Sequence, residues 1–395
     1  MNRPLRVAHL ATIDLTHRVL LLGQLRRLRD SGFDVAAVSA PGPWVSYLEH
    51  EGIRHIPWRN VTRAWDPRAD ARAFLELLGI LRRERFDVVH THNAKPGVMG
   101  RIAARALRVP CVVNTVHGFD ARPDDRFGKR AAFMGLEWIA ARFSDLELYQ
   151  SGEDLDRARR ARIAVPPKAA FLGNGTDLSR FDPASVRPEE IGRVRAELGI
   201  DQDALVVGTV GRLVRDKGYR ELFAAARLVR STFPSVRFLA VGDRDHAKAD
   251  VITEDEISRA TEDVIFTGWR EDMPAVLRAM DIFVLPSYRE GVPRSAIEGA
   301  AMGRALVLTD IPGCRQIVRH EVEGLLVPPR DAVRLADSIS ALIADAGLRE
   351  RLGEAARARA LERFDEQRVV ARLLDGYGRL LGGRGITGRD RWNGS

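Results

Sequence analysis

The stretch DIFVLPSYREGVPRSAIEGAAMGRALVLTD, residues 281–310, reads as one complete structural unit. DIFVLP is a short apolar run of β type, SYREGVP carries turn residues, RSAIEGAAMG has the composition of a helix, and RALVLT is a second β run. Strand, loop, helix and strand in that order make a right-handed crossover between parallel strands. The same alternation continues outward in both directions. β-type runs fall at 5–11, 33–40, 53–57, 87–92, 110–116, 146–150 and 168–172, then at 204–210, 236–242, 263–268, 281–286, 304–309 and 323–328. Helices fit between them, as at Val19–Asp30, Pro67–Arg85 and Gly218–Phe233. With 395 residues the chain exceeds one ordinary core. Two doubly wound parallel-sheet α/β domains are therefore predicted, 1–180 and 181–395, joined at LGNGTDLSRFDPASVRPEE, where Gly, Asn, Asp, Ser and Pro accumulate. The last helix, about 365–382, is expected to pack back on the N-terminal domain.

Composition narrows the classes of function. No run of 18 apolar residues occurs, and MNRPLRVAHLATIDL lacks the apolar stretch and cleavage site of a signal peptide. A cytoplasmic protein is expected, soluble or peripheral on the inner face of the plasma membrane. Two cysteines, Cys111 and Cys314, are too few for a disulfide framework and have no partners at zinc-ligand spacing. The net charge of +8 is uneven: residues 1–180 hold 29 Lys and Arg against 20 Asp and Glu, the remainder 33 against 34. A basic first half suits nucleic acid, anionic lipid or a phosphorylated substrate, or is simply a solvated surface. Only five of the 62 basic residues are lysines, at 95, 129, 168, 217 and 248, so each lysine stands against a strong arginine bias.

In doubly wound domains ligands bind beyond the carboxyl ends of the strands. In the opening stretch that places Glu290, Gly291 and Val292 on the loop and Glu298 inside the helix. Backbone amides before a helix attract phosphate, a carboxylate can accept from a vicinal diol such as ribose offers, and a second carboxylate suits sugar hydroxyls. The second domain opens with VVGTVGRLVRDKGYREL, a strand and glycine turn followed by Arg212 and Lys217. An arginine fork and a compact ammonium are complementary phosphate ligands.

At this point the chain resembles the retaining glycosyltransferases of family 4, whose GT-B fold is two facing Rossmann-like doubly wound parallel-sheet domains. The resemblance covers nearly the whole chain. It rests on VVGTVGRLVRDKG (206–218), VIFTGWREDMPAVLRAMDIFVLPS (264–287), EGVPRSAIEGAAMGRALVLTD (290–310), EGLLVPPRD (323–331), NGTD (174–177) and VHTHNAKPGVMGRIAARALRVPCVVNTVHGF (89–119). The first half is most similar to transferases of bacterial exopolysaccharide and lipid-linked oligosaccharide assembly. The resemblance implies transfer of a hexosyl or N-acetylhexosaminyl group, with retention, from a nucleotide-diphosphate sugar, UDP-linked in the first instance. The implied acceptor is a hydroxyl of a glycan or polyprenyl-diphosphate-linked sugar. It assigns Arg212 and Lys217 to the diphosphate beside Gly211, Asp243 to the diphosphate cleft, Thr267 and Gly268 to the base, and Glu298 to the ribose. Glu290 falls to the donor sugar's hydroxyls with the Gly291 and Val292 amides beside it, and His117 to the reacting sugar. Arg212, Lys217, Glu290 and His117 are thus the implied catalytic set.

Two expectations concern the acceptor and the metal. Many family members carry paired glycines after the first strand; here the segment is TIDLTHRVLLLG, and Thr16, His17, Arg18 and Lys95 are the candidate acceptor contacts. Asp243-Arg244-Asp245 spells a D-x-D, but arginine, lysine and helix amides already answer the diphosphate charge, so no metal or cofactor is expected. An anionic membrane surface is a candidate partner through FGKRAAFMGLEWIAARF (127–143), and nucleic acid is not, since no aromatic–basic interleaving or recognised module occurs. A dinucleotide oxidoreductase lacks its G-x-G-x-x-G. A sugar-nucleotide epimerase of the same fold, or a transferase to a small-molecule acceptor, is the alternative.

Overall fold

The computed structural model describes residues 3–119, 127–246, 248 and 250–384. Among them the chain separates into two compact units, Met1–Gly173 with Glu366–Ser395, and Asn174–Asp365. The break falls at Gly173, seven residues before position 180, because the strand pairing of the first sheet ends at Phe171. The chain returns to the first unit at Glu366.

The first unit holds a seven-stranded parallel sheet in the order β3-β2-β1-β4-β5-β6-β7. Its strands are β1 (Arg6–Ile13), β2 (Asp34–Ala40), β3 (Arg54–Pro57), β4 (Val88–His92), β5 (Cys111–Val116), β6 (Leu146–Tyr149) and β7 (Ala169–Phe171). The second unit holds a six-stranded parallel sheet in the order β10-β9-β8-β11-β12-β13. Its strands are β8 (Val206–Val210), β9 (Arg237–Val241), β10 (Val264–Phe266), β11 (Ile282–Leu285), β12 (Ala305–Thr309) and β13 (Leu325–Val327). The strand order reverses between β1 and β4 and between β8 and β11. These are the points where crossovers leave toward opposite faces and open a crevice for ligands.

Both faces of each sheet are covered, which is why the strands read as unbroken apolar runs. One face of the first sheet packs Val7, Val35, Val88, Cys111 and Val113 with Val369, Leu373, Tyr377 and Leu381 of the terminal helix Glu366–Gly382. The other packs Ala8, Val38, Val89 and Val112 with Leu77 and Leu81 of helix Pro67–Glu84. The helix expected from Val19 begins earlier, as a turn at Asp14–Thr16 that widens into a π-turn at His17–Leu21 before helix Leu22–Asp30. Gly23 lies inside that helix, so no paired-glycine loop follows β1. Among the described residues no helix is long and apolar enough to cross a membrane.

Candidate active site

In the second unit the expected donor residues lie at the carboxyl ends of β8, β9, β11 and the edge strand β10. After β8 the chain makes a 3₁₀ turn at Arg215–Lys217 and reverses at Gly218, whose φ of 73° is left-handed. A side chain at Gly218 would strike the Pro286 carbonyl at 2.0 Å, so glycine is required for the loops after β8 and β11 to meet. They are also laced together: Tyr288 N donates to Asp216 O at 2.8 Å, and Arg289 pairs with Asp216 at 2.7 Å. The result is that Lys217 Nζ lies 2.5 Å from Glu290 Oε1, a pair that is largely buried. Gly211 is pinned by Tyr219, whose hydroxyl donates to Gly211 O at 2.6 Å. Arg212, 43% exposed, reaches Asp245 Oδ2 at 2.5 Å.

The loop after β9 approaches equally closely. Gly242 N donates to Gly268 O at 2.9 Å, and Asp243 Oδ1 accepts from Trp269 N at 3.1 Å, which sets Thr267, Gly268 and Asp243 side by side. Val292 O accepts from Asn174 Nδ2 at 2.8 Å, holding the Gly291–Val292 backbone in place. Glu298 sits half-buried in helix Arg294–Ala301, with Arg294 Nε 3.3 Å away. Arg212 and Lys217 are thus each paired with a carboxylate, Asp245 and Glu290 respectively. Guanidinium and ammonium groups paired with carboxylates in this way are also able to bind phosphate oxygen. Asp245 belongs to the D-x-D and Asn174 to the NGTD segment read in the sequence, and their contacts with Arg212 and Val292 cross loops whose proximity only the fold creates.

In the first unit the crevice between β1 and β4 is lined by histidine. Parallel register pairs His9 with His90, and His92 follows two residues on, so all three point to one face of the sheet. His9 Nδ1 and His92 Nε2 lie 2.9 Å apart, and His92 Nδ1 and His117 Nε2 also 2.9 Å apart. His90 stacks on His92 with ring centres 4.3 Å apart, and its two nitrogens lie 2.7 Å from Tyr377 Oη and 2.7 Å from Thr115 Oγ1. Burial pushes His9 down to about 3, and His117 down to about 4 against the opposing hydrogen bond to Gln150. Burial likewise holds His90 and His92 well below the usual imidazole range. Ligand atoms of His9, His90 and His92 lie within 4.8 Å of one another, close enough to suggest a metal. Both nitrogens of His90 are already engaged, however, and the His9–His92 contact is a hydrogen bond, so the group is arranged as a hydrogen-bonded cluster.

Three of the four expected acceptor contacts turn inward. Lys95 is 4% exposed; its ammonium meets Asp70 Oδ1 at 2.5 Å, Thr62 Oγ1 at 3.4 Å and the Ala64 carbonyl, tying down the loop ahead of helix Pro67–Glu84. His17 is fully buried, its Nε2 2.9 Å from His9 O, because the π-turn rotates it under β1. Arg18 is also buried and lies over the rings of Trp44 at 3.7 Å and Tyr47 at 4.4 Å. Of the four, Thr16 alone is half-buried and not enclosed. Lys95, His17 and Arg18 therefore take part in the internal packing and hydrogen bonding of the first unit.

Comparison with known proteins follows this geometry closely. Residues 204–345 match the glycosyl transferases group 1 family, and residues 17–175 the glycosyl transferase 4-like domain. The chain is 30% identical over 335 residues to the UDP-Gal:alpha-D-GlcNAc-diphosphoundecaprenol alpha-1,3-galactosyltransferase of Escherichia coli, covering 83% of this chain and 85% of that one. It is 26% identical to the N,N'-diacetylbacillosaminyl-diphospho-undecaprenol alpha-1,3-N-acetylgalactosaminyltransferase of Campylobacter jejuni, covering 90% and 94%. Among solved structures, Anabaena Alr3699/HepE in complex with UDP and glucose superposes with a TM-score of 0.80 at 22% identity, covering 95% of this chain and 100% of that one. The chain belongs to the group 1 glycosyltransferases of family 4, with the GT-B fold, and is a retaining glycosyltransferase.

Proposed function

We propose that the protein moves a hexosyl or N-acetylhexosaminyl group from a UDP-sugar to a hydroxyl of a polyprenyl-diphosphate-linked sugar, in the assembly of a cell-surface polysaccharide. The observation that carries the reading is the Lys217–Glu290 pair at the β8/β11 reversal, 2.5 Å apart. One partner suits phosphate and the other sugar hydroxyls. The undecaprenol-linked substrates named for the Escherichia coli and Campylobacter jejuni relatives support the acceptor class.

In this reading Arg212 and Lys217 take the diphosphate, Glu298 the ribose, and the backbone at Thr267 and Gly268 the base. Glu290 orients the sugar, and His117 on the first unit contacts substrate. The bond from the anomeric carbon to the β-phosphate oxygen breaks as the acceptor oxygen bonds to that carbon on the same face. The acceptor proton passes to the departing phosphate oxygen. Arg212, Lys217 and the Gly291 and Val292 amides stabilise the leaving charge, a preorganised electrostatic contribution. UDP, GDP and ADP sugars offered with a synthetic polyprenyl-diphosphate sugar test this directly. UDP release that requires the acceptor, with an α-linked product from an α-linked donor, is expected. Consumption of the UDP-sugar without acceptor would favour the epimerase.

The transfer is expected to need no divalent metal, because Asp245 serves Arg212 and Asp243 receives the Trp269 amide. Rates in EDTA should match rates in buffer; a loss restored by Mn²⁺ or Mg²⁺ would return Asp243 and Asp245 to the reaction centre.

Helix Phe127–Ala140 is proposed as the membrane-facing element. It exposes Phe127, Ile139 and Trp138, and Arg142 lies over the Trp138 ring at 3.1 Å. Exposed aromatic side chains on a surface helix, with a basic residue on the 3₁₀ turn Ala141–Phe143 that follows it, suit an anionic interface, each basic residue contributing about 1 kcal/mol there. In liposome flotation the protein is expected to rise with phosphatidylglycerol vesicles and not with neutral ones. Sedimentation away from both would sink the assignment.

A further inference from the structure

The histidine cluster contains more than the one residue assigned to substrate. His9, His92 and His117 form a line of three imidazoles joined by two contacts of 2.9 Å, and each contact needs one N–H and one lone pair. Burial disfavours charge on every ring, so each carries a single proton and the line has only two polarities. In one, protons point from His9 toward His117; in the other, they point back.

The far end of the line decides between them. His9 Nε2 is buried with no hydrogen-bond partner among the described residues. A buried N–H left unpaired costs more than an unpaired lone pair, so Nε2 carries no proton. His9 then holds its proton on Nδ1 and donates to His92 Nε2, and His92 donates from Nδ1 to His117 Nε2. Free imidazole in water prefers its proton on Nε2, so this arrangement runs against the intrinsic tendency. His90 packs against both inner rings, with its own nitrogens committed to Tyr377 and Thr115, and so braces the line without joining it.

We propose that His9 and His92, neither of which touches substrate, are a tautomer lock that holds His117 as the neutral Nδ1–H form. His117 thereby meets a sugar hydroxyl as a hydrogen-bond donor. Because His9 Nε2 has nothing to exchange a proton with, the line fixes a polarity and does not conduct. The positioning residues are His92 directly and His9 through it. The inference rests on the reading of His117 as a substrate contact.

Histidine-selective ¹⁵N labelling of the full chain separates the two claims. With nine histidines, His117 is assigned by the signals lost in His117→Gln. Long-range ¹H–¹⁵N spectra of the parent are expected to show His117 protonated at Nδ1 and bare at Nε2; protonation at Nε2 overturns the lock without recourse to any further variant. In His92→Phe the Nδ1–H form should give way to a mixture or to Nε2–H. In His92→Asn, whose amide nitrogen falls near the lost Nδ1, it should persist. An unchanged His117 signature in a folded His92→Phe also overturns the proposal. Kinetics then report on the reading beneath it: His92→Phe should lower kcat about tenfold with donor KM unchanged, and His92→Asn should recover most of the loss. A locked His117 whose release leaves kcat untouched keeps the lock and removes His117 from substrate.

Discussion

Lys217→Ala is expected to lower the transfer rate by roughly 10²–10³-fold, the usual loss for one preorganised electrostatic group. Lys217→Arg should cost about tenfold or more, equivalent to about 1.4 kcal/mol of transition-state stabilisation. The second figure depends on how the lysine is held. Its stem runs beside Gly211, where an added Cβ would lie 3.6 Å from Lys217 Cδ and Cε, and its ammonium ends 2.5 Å from Glu290. The reversal at Gly218, pressed against the Pro286 carbonyl, leaves the backbone no freedom to draw the side chain back. A longer planar fork keeps the charge there but displaces it. Steady-state rates beside melting temperatures decide the matter. Lys217→Arg should melt within about 2 °C of the parent, since the ion pair is preserved. Parent-like turnover in that variant would refute the phosphate assignment.

The largest loss of stability is expected from Arg101. This guanidinium is fully buried, with NH1 2.8 Å from Glu147, NH2 2.7 Å from Glu137 and Nε donating to Gly97 O at 2.7 Å. Asn114 Nδ2 completes Glu147 at 2.7 Å. Burial alone would lower the Arg101 pKa, but the two carboxylates more than reverse this and raise it, so the ion stays charged. Arg101→Met removes the counterion from two enclosed carboxylates, a change that costs about 3–5 kcal/mol. For a unit of this size the melting temperature should fall by roughly 10 °C. Adding Glu147→Gln and Glu137→Gln should return part of that loss, because the stranded charge goes with them. A fall of under about 2 °C in Arg101→Met would show that the network contributes little.

The sheets were legible because parallel strands covered on both faces are continuous apolar runs separated by helices, a signal carried within each segment. The place of the candidate donor residues in the fold was legible for a related reason. Arg212, Lys217 and Glu290 sit on glycine-marked turns directly after strands, so their place follows from local order. The burial of the candidate acceptor residues was not. His17 and Arg18 read as loop residues, whereas a π-turn, set by packing under β1, turns both inward. Lys95 stood out by its rarity among arginines, yet that rarity also fits a compact ammonium enclosed by Asp70 and the Ala64 carbonyl. The alternation of His90 and His92 was a visible period-two signal. Its meaning required β1 beside β4, a pairing between segments some eighty residues apart in sequence.

The return of the last helix to the first unit reverses the usual order of events on the ribosome, where N-terminal domains generally fold first. Residues 174–365 emerge with everything their own unit needs. The earlier segment emerges with one sheet face bare, and Val369, Leu373 and Tyr377 arrive to cover it only after the whole second unit has been made. Until then the nascent chain carries an open apolar surface, and His90 lacks the hydroxyl of Tyr377. The unit begun first is therefore finished last, and a chain broken off before Val369 delivers a completed second unit tethered to an unfinished neighbour.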